Sequence, residues 1–185
     1  MDWFRYGHGV IFTIATQFLL LVFLLSSKPV EAEDDKTLVR KICSQTLEPN
    51  VCLNCISADT GRGTSNITDL TFSVLFCMYS QAIYAHQCAD HLFQNTAAVQ
   101  LKKSFQVCKD VLFSASNTLW DGLTKLEVSD YKNAHLSAGI AHLDLFQCVF
   151  AFRRYANVPI PSVLLNYMVQ TKRLFDVAQF MFLLI

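Results

Sequence analysis

Four cysteines constrain the fold of this chain more than any other feature, because of where they fall along it. Cys43 and Cys52 flank a short stretch that contains Pro49. Cys108 and Cys148 lie on two long segments whose apolar residues recur at steps of three and four, and each cysteine falls within the apolar stripe of its segment. A covalent bond between the facing stripes of two helices would close a small exported helical bundle.

The beginning of the chain has the composition of a signal peptide. An apolar run from Val10 to Leu25 follows the basic residue Arg5, and Val30-Glu31-Ala32 has the small residue that a cleavage site requires. Because polar sequence follows at once, we expect residues 1–32 to be removed and the mature chain to comprise residues 33–185. The alternative is an uncleaved signal anchor, since the apolar run is nearly long enough to cross a bilayer.

Export would let the cysteines oxidise. All seven lie in the mature chain, so at least one thiol stays free or pairs with another molecule. Cys52-Leu53-Asn54-Cys55 formally matches a redox motif, but Cys43 is an alternative partner for its first cysteine. Cys55 is also free to pair with Cys77 or Cys88. Asn66-Ile67-Thr68 is a glycosylation acceptor, so Asn66 is a candidate for glycosylation in an exported chain.

Charge and motif content exclude several classes of protein. Lys and Arg together number 15, as do Asp and Glu, and removing residues 1–32 takes two charges of each sign. This neutral balance argues against a nucleic-acid partner, and no second bilayer-length apolar run indicates a membrane partner after cleavage. No nucleophile elbow or His-Glu-x-x-His motif is present, and the pairs His86/His91 and His135/His142 lack the i, i+4 spacing of helical zinc ligands. We therefore expect no enzyme, no metal and no cofactor.

The mature chain reads as helical throughout. Apolar stripes with helical spacing run over residues 70–93, 101–126, 131–152 and 164–185. Short joins between them predict an all-α, up-down-up-down four-helix bundle over residues 68–185. Two shorter helical pieces over residues 37–58 predict a hairpin hinged at Pro49. Helix starts are expected at Thr68-Asp69, at Asn95 or Thr96, and at Ser129-Asp130.

Aromatic side chains favour a second class of function, that of a secreted helical lipid-binding protein. Eight phenylalanines recur at helical spacing: Phe72, Phe76, Phe93, Phe105, Phe113, Phe146, Phe150 and Phe152. Aromatic residues at this spacing more often form a core than a ligand pocket, so we expect them to be buried in the bundle.

The motifs together resemble the plant invertase and pectin methylesterase inhibitor family. The resemblance rests on Ile42-Cys43-Ser44-Gln45-Thr46 with Pro49 and Cys52, on Asp59, Leu70, Cys108, Ala115 and Leu119, and on Asp130-Tyr131, Leu136-Ser137-Ala138, Cys148 and Phe152. It covers essentially the whole mature chain. It implies a four-helix bundle preceded by a helical hairpin, with two disulfides, Cys43–Cys52 and Cys108–Cys148.

The resemblance also implies a function. Members of the family are extracellular proteins of the plant cell wall, or apoplast, and they cover the active-site cleft of a carbohydrate-processing enzyme. Invertase inhibitors typically carry Pro-Lys-Phe between the second and third bundle helices, where this chain has Glu127-Val128-Ser129-Asp130-Tyr131. The resemblance therefore implies a pectin methylesterase as the partner. The alternatives are an inhibitor of acid invertase (beta-fructofuranosidase) and a divergent member that has lost its partner.

Residues for contact with the partner follow from the resemblance as well. Inhibitors of pectin methylesterase tend to carry acidic residues on the second bundle helix. Here Asp110 is acidic, while Ser114 and Asn117 stand one and two turns further on, and His135 lies on the third helix. Val149-Phe150 occupies the place of an acidic pair that is common after the fourth cysteine. We expect these four residues at the partner interface, on a face poor in acidic groups.

Overall fold

A computed structural model describes the backbone of residues 31–62 and 66–185 and the side chains from residue 37 onward, residues 63–65 excepted. The signal peptide expected over residues 1–32 lies almost wholly outside the described residues. The compact unit considered below runs from Lys36 to Ile185.

The described residues are helical, as the apolar spacing predicts. The helices are α1 (Glu31–Ser44), α2 (Pro49–Ala58), α3 (Ile67–Gln94), α4 (Val99–Glu127), α5 (Tyr131–Ala151) and α6 (Ser162–Phe182), and a π-helical turn, Phe152–Ala156, extends α5. Helices α1 and α2 form the hairpin, and α3 to α6 form the bundle.

The bundle has up-down-up-down topology, which the pairing of residues between α4 and α5 illustrates. Between α4 and α5, Ser104 donates a hydrogen bond to the carbonyl of Ala151 at 3.1 Å, whereas Gly122 lies against Ser137 at the other end. Residue numbers that rise on one helix thus fall on the other, as in an antiparallel pair. Helix α3 packs against α4 and α6, and α5 packs against α4 and α6, so the helices form a ring.

Capping explains where the bundle helices begin and end, and it corrects two expectations. Asn66, not Thr68, caps α3, because its side-chain oxygen accepts from the N–H of Asp69 at 2.9 Å. Asn95 and Thr96 end α3 rather than begin α4: their side chains donate to carbonyls of the last turn of α3. Polar side chains can cap either end of a helix, so the sequence alone assigned Asn95 and Thr96 to the start of α4 instead of the end of α3. Asp130 caps α5 as expected.

The disulfides tie the elements of the described chain together. Cys43 is bonded to Cys52 within the hairpin, and Cys108 on α4 is bonded to Cys148 on α5. A third bond joins Cys55 on α2 to Cys77 on α3. Cys52 and Cys55 belong to different disulfides, which leaves no Cys-x-x-Cys redox pair. Cys88, half-buried on α3, is the one unpaired cysteine in the described chain.

The core consists of two clusters along the bundle axis. One includes the hairpin residue Ile42 together with Leu70 and Leu119, and the other surrounds the Cys108–Cys148 disulfide with Phe105 and Phe152 in edge-to-face contact. The expectation of eight core phenylalanines is wrong. Phe76, Phe113, Phe146 and Phe150 are exposed, and Phe72 and Phe93 are half-buried.

Candidate interaction face on helices α4 and α5

Three of the four residues expected at an interface lie on one side of α4. Asp110, Ser114 and Asn117 are spaced by four and three residues, so they share a face, and all three are exposed. Gln106 donates from its amide to both carboxylate oxygens of Asp110, each at 2.8 Å. These two hydrogen bonds restrict the orientation of the Asp110 carboxylate on the helix surface. The α4 part of the predicted site is therefore available to a partner.

His135, the fourth expected residue, points elsewhere. Its ring stacks on Phe182 of α6, with ring centroids 4.8 Å apart. His142, two turns further along the same side of α5, stacks on Phe175 of α6 with ring centroids 4.1 Å apart. The structure therefore places His135 on the flank of α5 that faces α6, away from the three α4 residues.

Helix α5 has an unusual distribution of side-chain size. Its inward residues before Leu145 include three small ones: Ala134, Ala138 and Ala141 are fully buried. Its large apolar residues point outward, at spacings of four, three and seven: Leu136, Ile140, Leu143 and Phe150, between 44% and 61% exposed. We call these four residues the outer face of α5. Singly exposed apolar residues are ordinary, whereas a row of them on one helix makes this surface a candidate for contact with a partner.

Sequence analysis missed this outer face because α5 is apolar almost all round. Apart from its histidines, α5 has only two acidic or basic residues, Lys132 and Asp144. Two apolar stripes therefore lie side by side, and the spacing of apolar residues alone does not show which stripe faces the core. The signal that could have separated them is side-chain volume, since helices that approach closely need alanine at the contact. By length and composition, the segment Tyr131–Ala156 is also apolar enough to cross a membrane, a test that core helices of bundles pass as well.

A buried carboxylate lies between the outer face and α4. Asp144 is only 7% exposed, and Gln147 donates to one of its oxygens at 3.1 Å. Its other oxygen is buried and has no hydrogen-bond partner among the described residues. Burial raises the pKa of Asp144, and the nearby hydroxyl of Ser114 opposes that shift. The α4–α5 face thus contains an acid that is held partly out of water.

Known proteins share this architecture. A curated pectinesterase inhibitor from Actinidia deliciosa is 22% identical over 157 residues, which cover 84% of this chain and 84% of that protein. Among solved structures, a mutant form of a pectin methylesterase inhibitor from Arabidopsis superposes with a TM-score of 0.65 at 19% identity, covering 78% of this chain and 94% of the other. A pectin methylesterase inhibitor from Arabidopsis thaliana gives 0.59 at 19% identity, with 80% and 95% covered. No protein-family model matches the chain.

The chain is thus similar to pectin methylesterase inhibitors in sequence and in fold. The resemblance drawn from its cysteines is thereby confirmed, and so is the all-α bundle with a hairpin in front of it. Because identity to the solved inhibitors is below one residue in five, the structural likeness establishes the fold, while the surface has to be read from this chain's own residues.

The remaining candidate residues have the following surroundings. Asn66 is exposed, and its amide nitrogen also donates to Asp69 at 2.6 Å while its oxygen caps α3. His86 lies 3.0 Å from the carbonyl oxygen of Lys109 and packs on Phe113. Within the described residues, no group of three His, Cys, Asp or Glu side chains is arranged to hold a metal ion.

Proposed function

We propose that this protein is a secreted, non-enzymatic inhibitor of a pectin methylesterase, acting in the cell wall by covering the active-site cleft of the enzyme in a stoichiometric complex. The curated relative and the solved structures it resembles are inhibitors of that enzyme class. The observation that carries the proposal is the outer face of α5 next to the exposed polar residues of α4. It offers a stable partner an apolar centre with a polar border.

The two helices would contribute differently to the complex. Leu136, Ile140 and Leu143 supply apolar area that becomes buried on association, and removal of such area from water is favourable by about 25 cal/mol per Å². Asp110, Ser114 and Asn117 lie beside them and supply hydrogen bonds at the edge. His135 contributes at most indirectly, because it packs on α6.

This division predicts how binding responds to salt. Exposed charge pairs are screened at physiological ionic strength, whereas burial of apolar surface is not. The acidic residues that the resemblance leads one to expect on this face are replaced by Ser114, Asn117 and Val149-Phe150. We therefore expect the affinity for the enzyme to change little between low and moderate salt concentrations.

The test is complex formation between the purified mature protein and a plant pectin methylesterase, followed by calorimetry and by loss of esterase activity. Leu143→Asp places a charge at the centre of the apolar face and should weaken binding at least tenfold, since an unpaired charge in a buried interface is costly. Leu47→Asp is the matched control, because Leu47 is 87% exposed in the hairpin turn, remote from the face.

The outcome separates the candidate functions. If an acid invertase is bound and pectin methylesterase is not, the invertase alternative replaces the proposal. If neither enzyme is bound, the proposal fails. The lipid-binding alternative gains little from the structure: the apolar cleft between α5 and α6, lined by Leu145, Phe146 and Met168, measures about 160 Å³. Ligand sites usually measure about 300–1,000 Å³.

A further inference from the structure

An open cleft lies where α5 passes into its π-helical turn. Its volume is about 520 Å³, within the range of small-ligand and oligosaccharide sites. Residues of α4, α5 and the turn line it: Val107, Gln147, Phe150, Arg153, Arg154 and Tyr155. Of these residues, Phe150 alone belongs to the outer face of α5. None of them is Asp110, Ser114 or Asn117, the polar residues of α4 that the proposed complex would use.

The π-helical turn gives the cleft its two cations. The N–H of Asn157 donates to the carbonyl of Phe152, five residues earlier, at 2.8 Å, and Asn157 leaves the turn with a left-handed φ of 47°. Arg153 and Arg154 follow one another in sequence, so a regular α-helix would separate them by about 100° around its axis. Here both line the same cleft. π-Turns of this kind occur frequently at functional sites.

Both arginines retain their charge for a ligand. They are exposed, and the ion pairs found among the described residues involve other cations, such as Arg62, Lys109 and Arg173. Arg154 lies over the ring of Tyr155, with 5.3 Å from the guanidinium carbon to the ring centroid. This contact orients the guanidinium without neutralising it.

The other lining residues add a complementary chemistry. Phe150 is 57% exposed and presents an apolar ring at the rim. Gln147 donates from its amide nitrogen to Asp144 at 3.1 Å, and its side-chain oxygen is chemically an acceptor. A cleft with paired guanidinium groups, aromatic faces and an amide suits a ligand with carboxylates, apolar ring faces and hydroxyls. Guanidinium groups bind carboxylates through two parallel hydrogen bonds.

We propose that this cleft binds an acidic oligosaccharide, a chain of uronate sugars. The identity of the sugar acid rests on the proposed function, because a pectin methylesterase converts methyl esters of such a chain into carboxylates. Binding at the cleft would hold the inhibitor on polymer that the enzyme has already processed. The arginine pair recognises the free carboxylate and gains nothing from the methyl ester, which has no charge.

Calorimetric titration of the intact mature protein with short oligogalacturonides tests the proposal, with methyl-esterified oligomers of the same length and poly-glutamate titrated in parallel. The double variant Arg153→Gln, Arg154→Gln should lose at least about tenfold in affinity for the oligogalacturonide, since each charge-assisted bidentate contact accounts for a difference of that size. The matched control is Arg40→Gln, Lys41→Gln, which removes two adjacent exposed cations from α1.

Binding of the acidic oligomer alone, lost in the first variant and kept in the control, supports the proposal. The proposal is overturned by absence of binding, by equal losses in both variants, or by equal affinity for poly-glutamate or for the esterified oligomer. Complex formation with pectin methylesterase, measured without pectin, should be the same in the arginine variant as in the natural protein. If the cleft does not bind the oligogalacturonide, the inhibitor proposal is unaffected. If no complex forms with pectin methylesterase, the oligogalacturonide titration can still be interpreted by itself.

Discussion

Between Ala134 and Leu143, the inward and outward faces of α5 reverse the usual relation between side-chain size and burial. Inside, Ala134, Ala138 and Ala141 face α4 and α6, and the Cα atoms of Cys108 and Cys148 are only 4.4 Å apart. Outside, the large apolar residues of the outer face meet solvent. The small inner residues let the helices approach closely, so bulk on the outer side adds nothing to the core. The two apolar stripes of this helix therefore differ in role: the inner stripe packs in the core, and the outer stripe is free for the proposed contact with a partner.

The largest loss of stability should come from removing the disulfide that joins the inner face of α5 to α4. Cys148→Ser removes a disulfide that closes a loop of 40 residues, and the chain-entropy model gives a loss of about 4 kcal/mol in the free energy of unfolding. Cys88→Ser is the control, because Cys88 is unpaired in the described chain. Urea unfolding of both variants measures the difference. Equal midpoints would mean that the α4–α5 contact does not depend on the bond.

A smaller loss should follow from filling the inner face. Ala138 is fully buried, so Ala138→Leu forces extra volume between closely packed helices and should lower stability by about 1–3 kcal/mol. Leu136→Ala, two positions away on the outer face, is the reverse change in side-chain size, yet it should change stability by no more than about 0.5 kcal/mol. Thermal unfolding of the pair compares the faces directly. A larger loss from Leu136→Ala would contradict the assignment of that face to solvent.

The flank of α5 that faces α6 should give a still smaller, pH-dependent effect through His142. Burial lowers the pKa of His142, and Lys172 acts in the same direction while Asp176 opposes it. Below pH 6.5, His142 takes up a proton more readily in the unfolded chain than in the folded chain. The stability that depends on a neutral His142 is therefore complete above pH 6.5 and is lost as the pH falls. His142→Gln should flatten that decline, whereas the exposed His91→Gln should not. Unfolding free energies at pH 7 and pH 5 give the slopes.

The flank that faces α4 should show the opposite trend through Asp144. Burial raises its pKa, so the folded chain holds a proton that the unfolded chain releases above pH 3.8. Stability from this group is therefore present at low pH and is lost as the pH rises through the folded pKa. Asp144→Asn should make the protein slightly more stable at pH 7 and change it least at pH 3. Asp110→Asn, at an exposed carboxylate, serves as the control. A loss of stability at pH 7 in Asp144→Asn alone would show that the charge is needed.

The sequence alone could predict the helical bundle. Apolar residues at steps of three and four define the helices, and the same spacing puts Cys108 and Cys148 on the inward faces. The grouping of Asp110, Ser114 and Asn117 was predictable for the same reason, since one helix fixes their relative position. His135 was not, because its orientation depends on how α5 is rotated against α6. The side chains of Asn66, Asn95 and Thr96 could cap either neighbouring helix end, and only the three-dimensional arrangement decides which.

The bond between Cys55 and Cys77 has a consequence for how copies of this protein relate to one another. A helical hairpin attached only by a flexible loop can leave its own bundle and pack on that of a second molecule, which is a common route to exchanged dimers. Here α2 is covalently joined to α3, and Glu48 in the hairpin turn also forms an ion pair with Arg173 of α6 at 2.6 Å. Once the thiols have oxidised, each hairpin stays with the bundle on which it folded. The Cys55–Cys77 disulfide therefore opposes exchange of hairpins between folded molecules.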